Sequence, residues 1–215
     1  MEPGFLRARF HPILKASEAI KSKQLKPQGE IDMLKTSLIA LALTVGFGSV
    51  SAQAANPKVG GAAMYQSKNI VENAVNSKEH TTLVAAVKAA GLVETLTSAG
   101  PFTVFAPINK GFADLPAGTV EGLLKPEAKD TLTKVLTCHV VSGKVMSRAA
   151  MAMIKDDGGM HKVKTVGGCE LTLSMDGPDL IITDENGGMS KVIIANVQQS
   201  NGVIHVIDKV LLPKM

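Results

Sequence analysis

The feature that most constrains the fold is a change in the spacing of apolar residues near Val140. Before this point, apolar residues recur at helical spacing and fall on one face, as in 67–77 and 80–91. After it, they form short strand-like runs separated by the turn signals GG, DGPD and ENGG. One strand-like run, PFTVFAP at 101–107, comes earlier. Helices first and antiparallel strands afterwards predict an α+β domain rather than alternating βαβ units.

The predicted helices carry recognisable start and stop signals. Ser67 is a candidate N-cap for the first helix, Gly91 ends the second, and Pro126 stands in the first turn of a longer one. Further short helices are predicted in LVETLTSAG, NKGFADL and TVEGLL. The predicted strands after Val140 are HKVKTV, ELTLSM, DLIITD, KVIIANV and GVIHVIDKVLL. No internal repeat is present, so the chain predicts a single copy of the domain.

The N-terminal part resembles a secretory leader. Residues 37–50 are an apolar run of 14 residues without a charge, preceded by Lys35 and followed by SAQAAN. This pattern predicts a signal peptide cut between Ala54 and Ala55. The alternative is a membrane-spanning helix, which needs about 20 predominantly apolar residues and is therefore disfavoured.

The position of the leader sets the expected domain boundaries. Met33, followed by Leu and Lys, is a natural start, so residues 1–32 are interpreted as an over-extended reading frame. A genuinely long leader start is the alternative. Residues 33–54 are then the signal peptide, 55–66 an N-terminal linker and 67–215 the folded domain.

The net charge of the chain becomes nearly neutral once the predicted leader is left out of the count. The whole chain has 23 Lys and Arg against 19 Asp and Glu, and removing residues 1–54 leaves 16 against 15. A nearly neutral chain with few aromatic residues argues against nucleic-acid binding. We expect a secreted or periplasmic protein without stable membrane insertion after cleavage. The oligomeric state stays open, because no heptad or interface stripe is visible.

Two cysteines, Cys138 and Cys169, lie 31 positions apart. In an oxidising compartment they are candidates for a disulfide, which chain-entropy reasoning values at roughly 3–4 kcal/mol. The alternative is a pair of separately buried thiols.

The segment NGVIHVIDKVLLP places His205 and Asp208 in a strand-like apolar run. Side chains three positions apart on a strand point to opposite faces, so the two cannot form an acid/base dyad with each other. Each must find its own partner, as a buried structural polar group does.

No other pattern points to catalysis or metal binding. A G-x-S-x-G motif is missing, and the adjacent Cys138 and His139 would point about 100 degrees apart on a helix. The histidines lack metal-ligand spacing, and DENGG at 184–188 fits a hairpin turn better than a calcium loop. We therefore expect no enzyme activity, no cofactor and no metal.

Three segments together resemble the fasciclin domain family. FTVFAPINKGFADLP at 102–116 is similar to its first signature motif, and NGVIHVIDKVLLP at 201–213 to its second. LTKVLTCHVVSGKV at 132–145 resembles the middle motif, normally a Tyr-His pair before a Val-rich turn. The resemblance runs from about Asn69 to Pro213, essentially the whole chain after the leader.

The resemblance implies a β-wedge of two sheets with a helical side, in which the two signature motifs lie next to each other. It also implies that five polar motif residues tie these segments together: Thr103, Asn109, His139, His205 and Asp208. In animal members of the family, receptor binding is attributed partly to the Tyr-His pair. Cys138 stands at the Tyr position of this pair, so integrin-type recognition is not expected. The same substitution suits a Cys138–Cys169 disulfide.

Family members are mostly secreted or surface modules, so the resemblance implies an exported, non-catalytic adhesion or binding module. The expected partner is an envelope or host-surface protein or carbohydrate. The Met-rich segment 146–160 is a candidate surface, although a helix that buries Met151 and Ile154 is the alternative. The competing functions are a periplasmic enzyme or small-ligand carrier with a pocket near His139 or His205, and a stress-induced envelope protein.

Overall fold

The structure is a computed structural model that describes residues 56–214, and its helices come mainly before its strands, as predicted. Six of the seven α-helices in this range precede residue 140, and the seventh lies between strands. The helices are α1 (Ile70–Ala74), α2 (Thr81–Ala90), α3 (Val93–Thr97), α4 (Asn109–Ala113), α5 (Thr119–Leu123), α6 (Lys129–Thr137) and α7 (Ser147–Asp156). None of them is long and apolar enough to cross a bilayer. The predicted signal peptide and the Met33 start lie outside the described residues.

Nine strands are present in residues 56–214. They are β1 (Lys58–Val59), β2 (Ala62–Ala63), β3 (Phe102–Pro107), β4 (Val140–Ser142), β5 (Met160–Lys164), β6 (Glu170–Asp176), β7 (Asp179–Thr183), β8 (Met189–Gln199) and β9 (Gly202–Ile207). β1 and β2 form a hairpin, and the other seven form one sheet in the order β4-β3-β9-β8-β7-β6-β5. The α+β prediction is confirmed.

The two signature motifs lie side by side, as the resemblance implied. β3 and β9 pair in parallel from Phe102 opposite Gly202 to Pro107 opposite Ile207. The other strand pairs in the described chain are antiparallel, as predicted for the part after Val140, and the direction of the earlier strand β3 was not predicted. The chain between β3 and β9 includes four helices and five strands, which gives the long connection that parallel pairing needs.

Both signature strands are buried on both faces, because they separate two apolar cores. On β9, Ile204 and Val206 face the core formed with the N-terminal helices. Ile207 joins Phe105 of β3 in the other core, which also includes Ile154 of α7. This double burial explains why both motifs are nearly continuous apolar runs rather than alternating ones.

The predicted wedge of two sheets takes the form of two ladders that share β8. Residues 189–191 of β8 pair with β7, whereas residues 192–199 pair with β9. Register shifts occur between Val192 and Ile194 and between Ile194 and Val197. Such irregularities bend a strand, so the sheet changes direction there.

The two ends of the seven-stranded sheet meet at a seam closed by the disulfide. The Val166 amide, in the turn after β5, donates to the Val140 carbonyl of β4 over 2.7 Å. Beside this contact, Cys138 at the end of α6 is bonded to Cys169 just before β6. The predicted disulfide is therefore present. A Cβ on Gly167 would lie 2.8 Å from the Cys138 amide, so only glycine fits without displacement at this seam.

Two local predictions had different outcomes. α1 begins with Asn69 as N-cap, in a capping box with Glu72, so the Ser67 prediction was wrong by two residues. The capping box is favoured because it satisfies two backbone donors at once. α2 ends at Gly91 as predicted, where φ is 74° and a left-handed residue closes the helix.

Two segments were interpreted differently from sequence. Within the predicted linker 55–66, β1 and β2 form a hairpin whose Val59 and Met64 are buried. Strands of two residues carry too little alternation to be predicted. In the Met-rich segment, α7 buries Ile154, as the helical alternative expected, but it leaves Met151 41% exposed.

Candidate functional site

His205 lies inside the fold, and both its ring nitrogens have partners. The residue is 2% exposed, and its ring centroid is 5.9 Å from that of Phe105. Nε2 lies 2.8 Å from the Val145 carbonyl oxygen, and Nδ1 lies 3.4 Å from the Asn196 amide nitrogen. One donor and one acceptor fit the neutral imidazole. Burial also lowers the pKa of His205, which favours the same form.

Thr103 meets His205 at the segment that joins β4 to α7. The Thr103 hydroxyl donates to the Gly143 carbonyl over 2.7 Å and accepts from the Val145 amide over 2.8 Å. His205 takes the carbonyl of the same Val145. Thr103 thus binds the backbone amide of Val145, and His205 binds its carbonyl. Together they fix the segment 143–145 to β3 and β9.

His139 makes a second, separate junction. It is 2% exposed at the start of β4. Nδ1 lies 2.8 Å from the Val135 carbonyl oxygen of α6, and Nε2 accepts from the Leu211 amide over 2.9 Å. These contacts again require the neutral ring. Burial lowers the pKa of His139 to about 4, against the opposing effects of the Val135 carbonyl and the Asp184 carboxylate.

Asp208 and Asn109 complete the predicted set at two further places. The Asp208 carboxylate accepts from the Ser190 hydroxyl over 2.9 Å and from the Lys191 amide over 2.8 Å. The Asn109 side chain accepts from the Thr82 amide over 3.0 Å, at the start of α2. Its amide group donates to the backbone next to that helix.

The five predicted residues therefore form four junctions, not one site. Only Thr103 and His205 share a partner segment. His205 and Asp208 do not contact each other, in agreement with the strand-alternation argument. Cys138 is bonded to Cys169, so no free thiol stands beside His139. Within residues 56–214, no cluster of three or more His, Cys, Asp or Glu residues could hold a metal ion.

Sequence reasoning missed Asn201 as a junction residue. It is 6% exposed, and its side-chain oxygen accepts from the Ile70 amide over 3.0 Å. Its amide group donates to the carbonyls of Leu96 and Ser98 over 2.8 and 2.9 Å. Asn201 opens the second signature motif, and a polar residue at the head of a strand that is otherwise apolar was the available signal.

His80 is a third buried histidine, and it is only partly satisfied. Its Nδ1 lies 2.8 Å from the Ser77 hydroxyl, whereas Nε2 has no hydrogen-bond partner among the described residues. Burial lowers its pKa. The ring borders a small cavity of about 20 Å³ that Met64 and Val59 also line, so the hairpin β1–β2 covers this histidine.

The contact of Thr103 yields a first prediction. Thr103→Val keeps the side-chain shape but leaves the half-buried Gly143 carbonyl and Val145 amide without their partner. We expect a loss of about 1–3 kcal/mol in the free energy of unfolding, measured by urea denaturation. Thr172→Val on β6 is the control, because the Thr172 hydroxyl has no hydrogen bond in the described residues. A loss no larger than that of the control would contradict the junction.

An apolar opening lies between α1–α3 and the sheet in the described chain, and it is here called the helix–sheet cleft. It has a volume of about 60 Å³. Its floor includes Leu83, Leu136 and Ile204, which are buried, and His139 also lines it. His205 does not line it. Of the two places that the competing enzyme or carrier function named for a pocket, this cleft lies near His139 and not near His205.

Two exposed patches stand out on the surface. Tyr65 is 53% exposed, and its backbone amide and carbonyl are both bound by the side chain of buried Asn73, over 3.0 and 2.8 Å. Lys68 lies 5.1 Å from the centre of the Tyr65 ring. The second patch comprises Met151 on α7 and Met160 at the start of β5, which are 41% and 66% exposed.

Comparison with known proteins gives a consistent result. A model of the Fasciclin domain matches residues 78–213. Protein sll1483 of Synechocystis is 44% identical over 183 residues, which cover 84% of this chain and 94% of that protein. The cell surface glycolipoprotein MPB83 of Mycobacterium bovis is 33% identical over 175 residues, covering 79% of this chain and 72% of MPB83.

A solved structure supports the same fold. The FAS1 domain pair from the insect cell adhesion molecule fasciclin I superimposes with a TM-score of 0.60 at 18% sequence identity. The match covers 67% of this chain and 51% of that one. At this level of identity, the likeness shows the fold alone.

Proposed function

The chain belongs to the fasciclin domain family, and from that premise we propose that it is an exported, non-catalytic module that binds a surface partner. The partner is a protein or carbohydrate of the cell envelope or of a host surface. The relative MPB83, a cell surface glycolipoprotein, supports a role outside the cytoplasm. The leader-like residues 33–54 support export, with cleavage after Ala54.

The observation that carries this proposal is that the polar motif residues bind other parts of the same fold. His139 and His205 are buried, neutral and engaged at both ring nitrogens by backbone groups. Asp208 accepts from a hydroxyl and an amide of β8. A general base needs a free position within hydrogen-bond reach of a substrate proton. The two histidines have no such position, so recognition by the outer surface accounts better for their arrangement than catalysis does.

The two exposed patches are the proposed contact surfaces. Tyr65 presents an aromatic ring on a backbone fixed by Asn73, which is the kind of rigid amphipathic surface that binds sugars or protein loops at low entropic cost. Met151 and Met160 present flexible apolar side chains, which suit a protein partner. On this basis we propose a carbohydrate partner for the first patch and a protein partner for the second.

The test is a binding measurement on protein produced with its own leader, whose intact mass reports whether the chain starts at Ala55. Envelope polysaccharide and envelope protein are immobilised separately. We expect Tyr65→Ala to reduce polysaccharide binding and Met151→Lys with Met160→Lys to reduce protein binding, with no change in fold by circular dichroism. Val75→Ala is the matched control, since Val75 is exposed but lies outside both patches. Failure of the wild-type protein to bind either material would overturn the proposal.

A further inference from the structure

The surface around Tyr65 is built from three segments of the chain that hydrogen bonds hold together. The Asn56 side chain donates to the Gln198 carbonyl over 2.7 Å and accepts from the Gln198 amide over 3.4 Å. It thereby occupies the edge of β8 in the part where β7 no longer pairs with this strand. The Lys144 ammonium donates to the side-chain oxygen of Gln198 over 3.0 Å. This surface, here called the three-segment surface, comprises residues 56–68, 143–148 and 196–200.

The Tyr65 side of this surface is fixed because buried Asn73 binds it from below. Asn73 is 0% exposed, and its side chain binds both backbone groups of Tyr65. The same side chain donates to the side-chain oxygen of Gln199, the residue after Gln198. Tyr65 and the end of β8 are thus held together before any partner arrives. A surface that is already ordered loses little entropy on binding.

This surface carries positive charges and no carboxylate. Its segments contain no Asp or Glu and four exposed cationic residues, none of them in an ion pair within residues 56–214: Lys58, Lys68, Lys144 and Arg148. The chain after residue 54 is nearly neutral, with 16 Lys and Arg against 15 Asp and Glu, so its carboxylates lie elsewhere. The next acidic residue in sequence, Glu72, binds the backbone amide of Asn69 at the start of α1. The surface therefore favours a partner with negative charge.

The aromatic content of the surface suits a sugar better than a nucleic acid. Tyr65 is the only aromatic residue in the three segments, whereas single-stranded nucleic acids stack successive bases on several aromatic side chains. One exposed ring can cover the apolar face of one sugar, and its hydroxyl can form a hydrogen bond. The Lys68 ammonium lies 5.1 Å from the centre of this ring, where it can reach a carboxylate on the same sugar. The exposed amide of Gln66 adds a donor and an acceptor for sugar hydroxyls.

We propose that the three-segment surface binds an anionic polysaccharide whose sugars are uronic acids. One sugar ring lies against Tyr65 and its carboxylate pairs with Lys68. Neighbouring carboxylates of the polymer pair with Lys58 and Lys144. This inference rests on the proposed function, because it names the class of carbohydrate that the Tyr65 patch recognises.

The test compares two forms of one sugar chain that differ mainly in charge. The probes are a hexamer of galacturonic acid and the same hexamer with its carboxylates methyl-esterified, each titrated calorimetrically into the wild-type protein at pH 7.5. We expect the acid to bind about tenfold more tightly than the ester, since each exposed ion pair contributes little but several act together. This difference should shrink as sodium chloride is raised from about 0.05 to about 0.5 M, because salt screens exposed charges.

Matched variants locate the contact. Lys68→Glu with Lys144→Glu should remove detectable binding of the acid and leave binding of the ester unchanged. The control, Lys155→Glu with Lys164→Glu, changes the net charge equally at exposed residues of α7 and β5, and it should keep wild-type affinity for the acid. Tyr65→Ala should weaken binding of both forms about fivefold, because the ring contacts the apolar face of the sugar in each.

Circular dichroism and urea denaturation establish that each variant, altered only at exposed side chains, is folded. Equal affinity for the acid and the ester would overturn the assignment to an anionic ligand. An equal loss of acid binding in the control variant would show an effect of net charge and would overturn the assignment to this surface. A thymidylate hexamer that binds more tightly than the acid would overturn the assignment to a polysaccharide.

Two outcomes separate this proposal from the proposed function. A wild-type protein that binds envelope polysaccharide but not the acid hexamer would overturn the uronic-acid assignment and leave the proposed function standing. A wild-type protein that binds neither the hexamers nor envelope polysaccharide would also overturn the assignment of carbohydrate to the Tyr65 patch.

Discussion

Removal of the Cys138–Cys169 disulfide is expected to lower the free energy of unfolding by roughly 3–4 kcal/mol. The two cysteines are 31 positions apart, and a loop of this length loses that much chain entropy when the unfolded state is cross-linked. The bridge also joins the end of α6 to the start of β6, where the two edges of the sheet meet. The double variant Cys138→Ala, Cys169→Ala avoids leaving buried thiols, and urea denaturation measures its stability.

The control for this prediction is the wild-type protein in a strong reductant. Both samples lack the cross-link, so both should be less stable than the oxidised wild type, and the double variant should lose somewhat more because it also removes two buried sulfur atoms. Single replacement of either cysteine should cost as much as the double replacement. A double variant as stable as the oxidised wild type would show that hydrogen bonds of the seam, such as that of Val166 to Val140, hold it without the disulfide.

Acid should destabilise the protein through His139 by about 3 kcal/mol. Its pKa is about 4 in the folded state and near 6.5 when unfolded. The unfolded chain therefore binds the proton more tightly. The stabilising contribution is complete above pH 6.5, falls as the pH drops from 6.5 to about 4, and is absent below that. The physical reason is that a protonated ring would be buried and would turn an N–H towards the Leu211 amide.

Urea denaturation at several pH values between 4 and 8 measures this effect. His139→Gln should lower stability at neutral pH and also flatten the pH dependence, by about 1.4 kcal/mol per pH unit within the window. His80 and His205 have lowered pKa values as well, so a smaller slope of the same sign should remain. Thr103→Val, which removes a buried hydroxyl but no titratable group, is the control and should keep the wild-type slope. An unchanged slope in His139→Gln would contradict the assignment.

Much of the fold could be predicted because its signals are local or repeated. Gly91 ends a helix in the left-handed conformation, and glycine at a helix end is a local signal for it. The apolar run around His205 has the composition of a strand that is buried on both faces. The adjacency of β3 and β9 could be predicted only from the family resemblance. Their parallel direction follows from chain topology, which short-range patterns do not encode.

What could not be predicted depends on long-range contacts. Asn201 bonds to Ile70 and Leu96, which are 131 and 105 positions away, so nothing near it in sequence identifies its partners. The hairpin at 58–64 has too few residues for a periodic pattern. The helix–sheet cleft is a property of how α1–α3 pack on the sheet, and Val84 in its wall looks like any other residue of an apolar helix face.

The most direct test of the central claim is to measure partner binding and stability together on His139→Gln. The claim is that the motif histidines hold the fold, whereas the outer surface contacts the partner. At pH 7.5, and at a temperature where the variant is folded by circular dichroism, the account predicts reduced stability with wild-type affinity for envelope polysaccharide or protein. A folded His139→Gln protein that no longer binds would contradict it and would place the buried histidine in the recognition site.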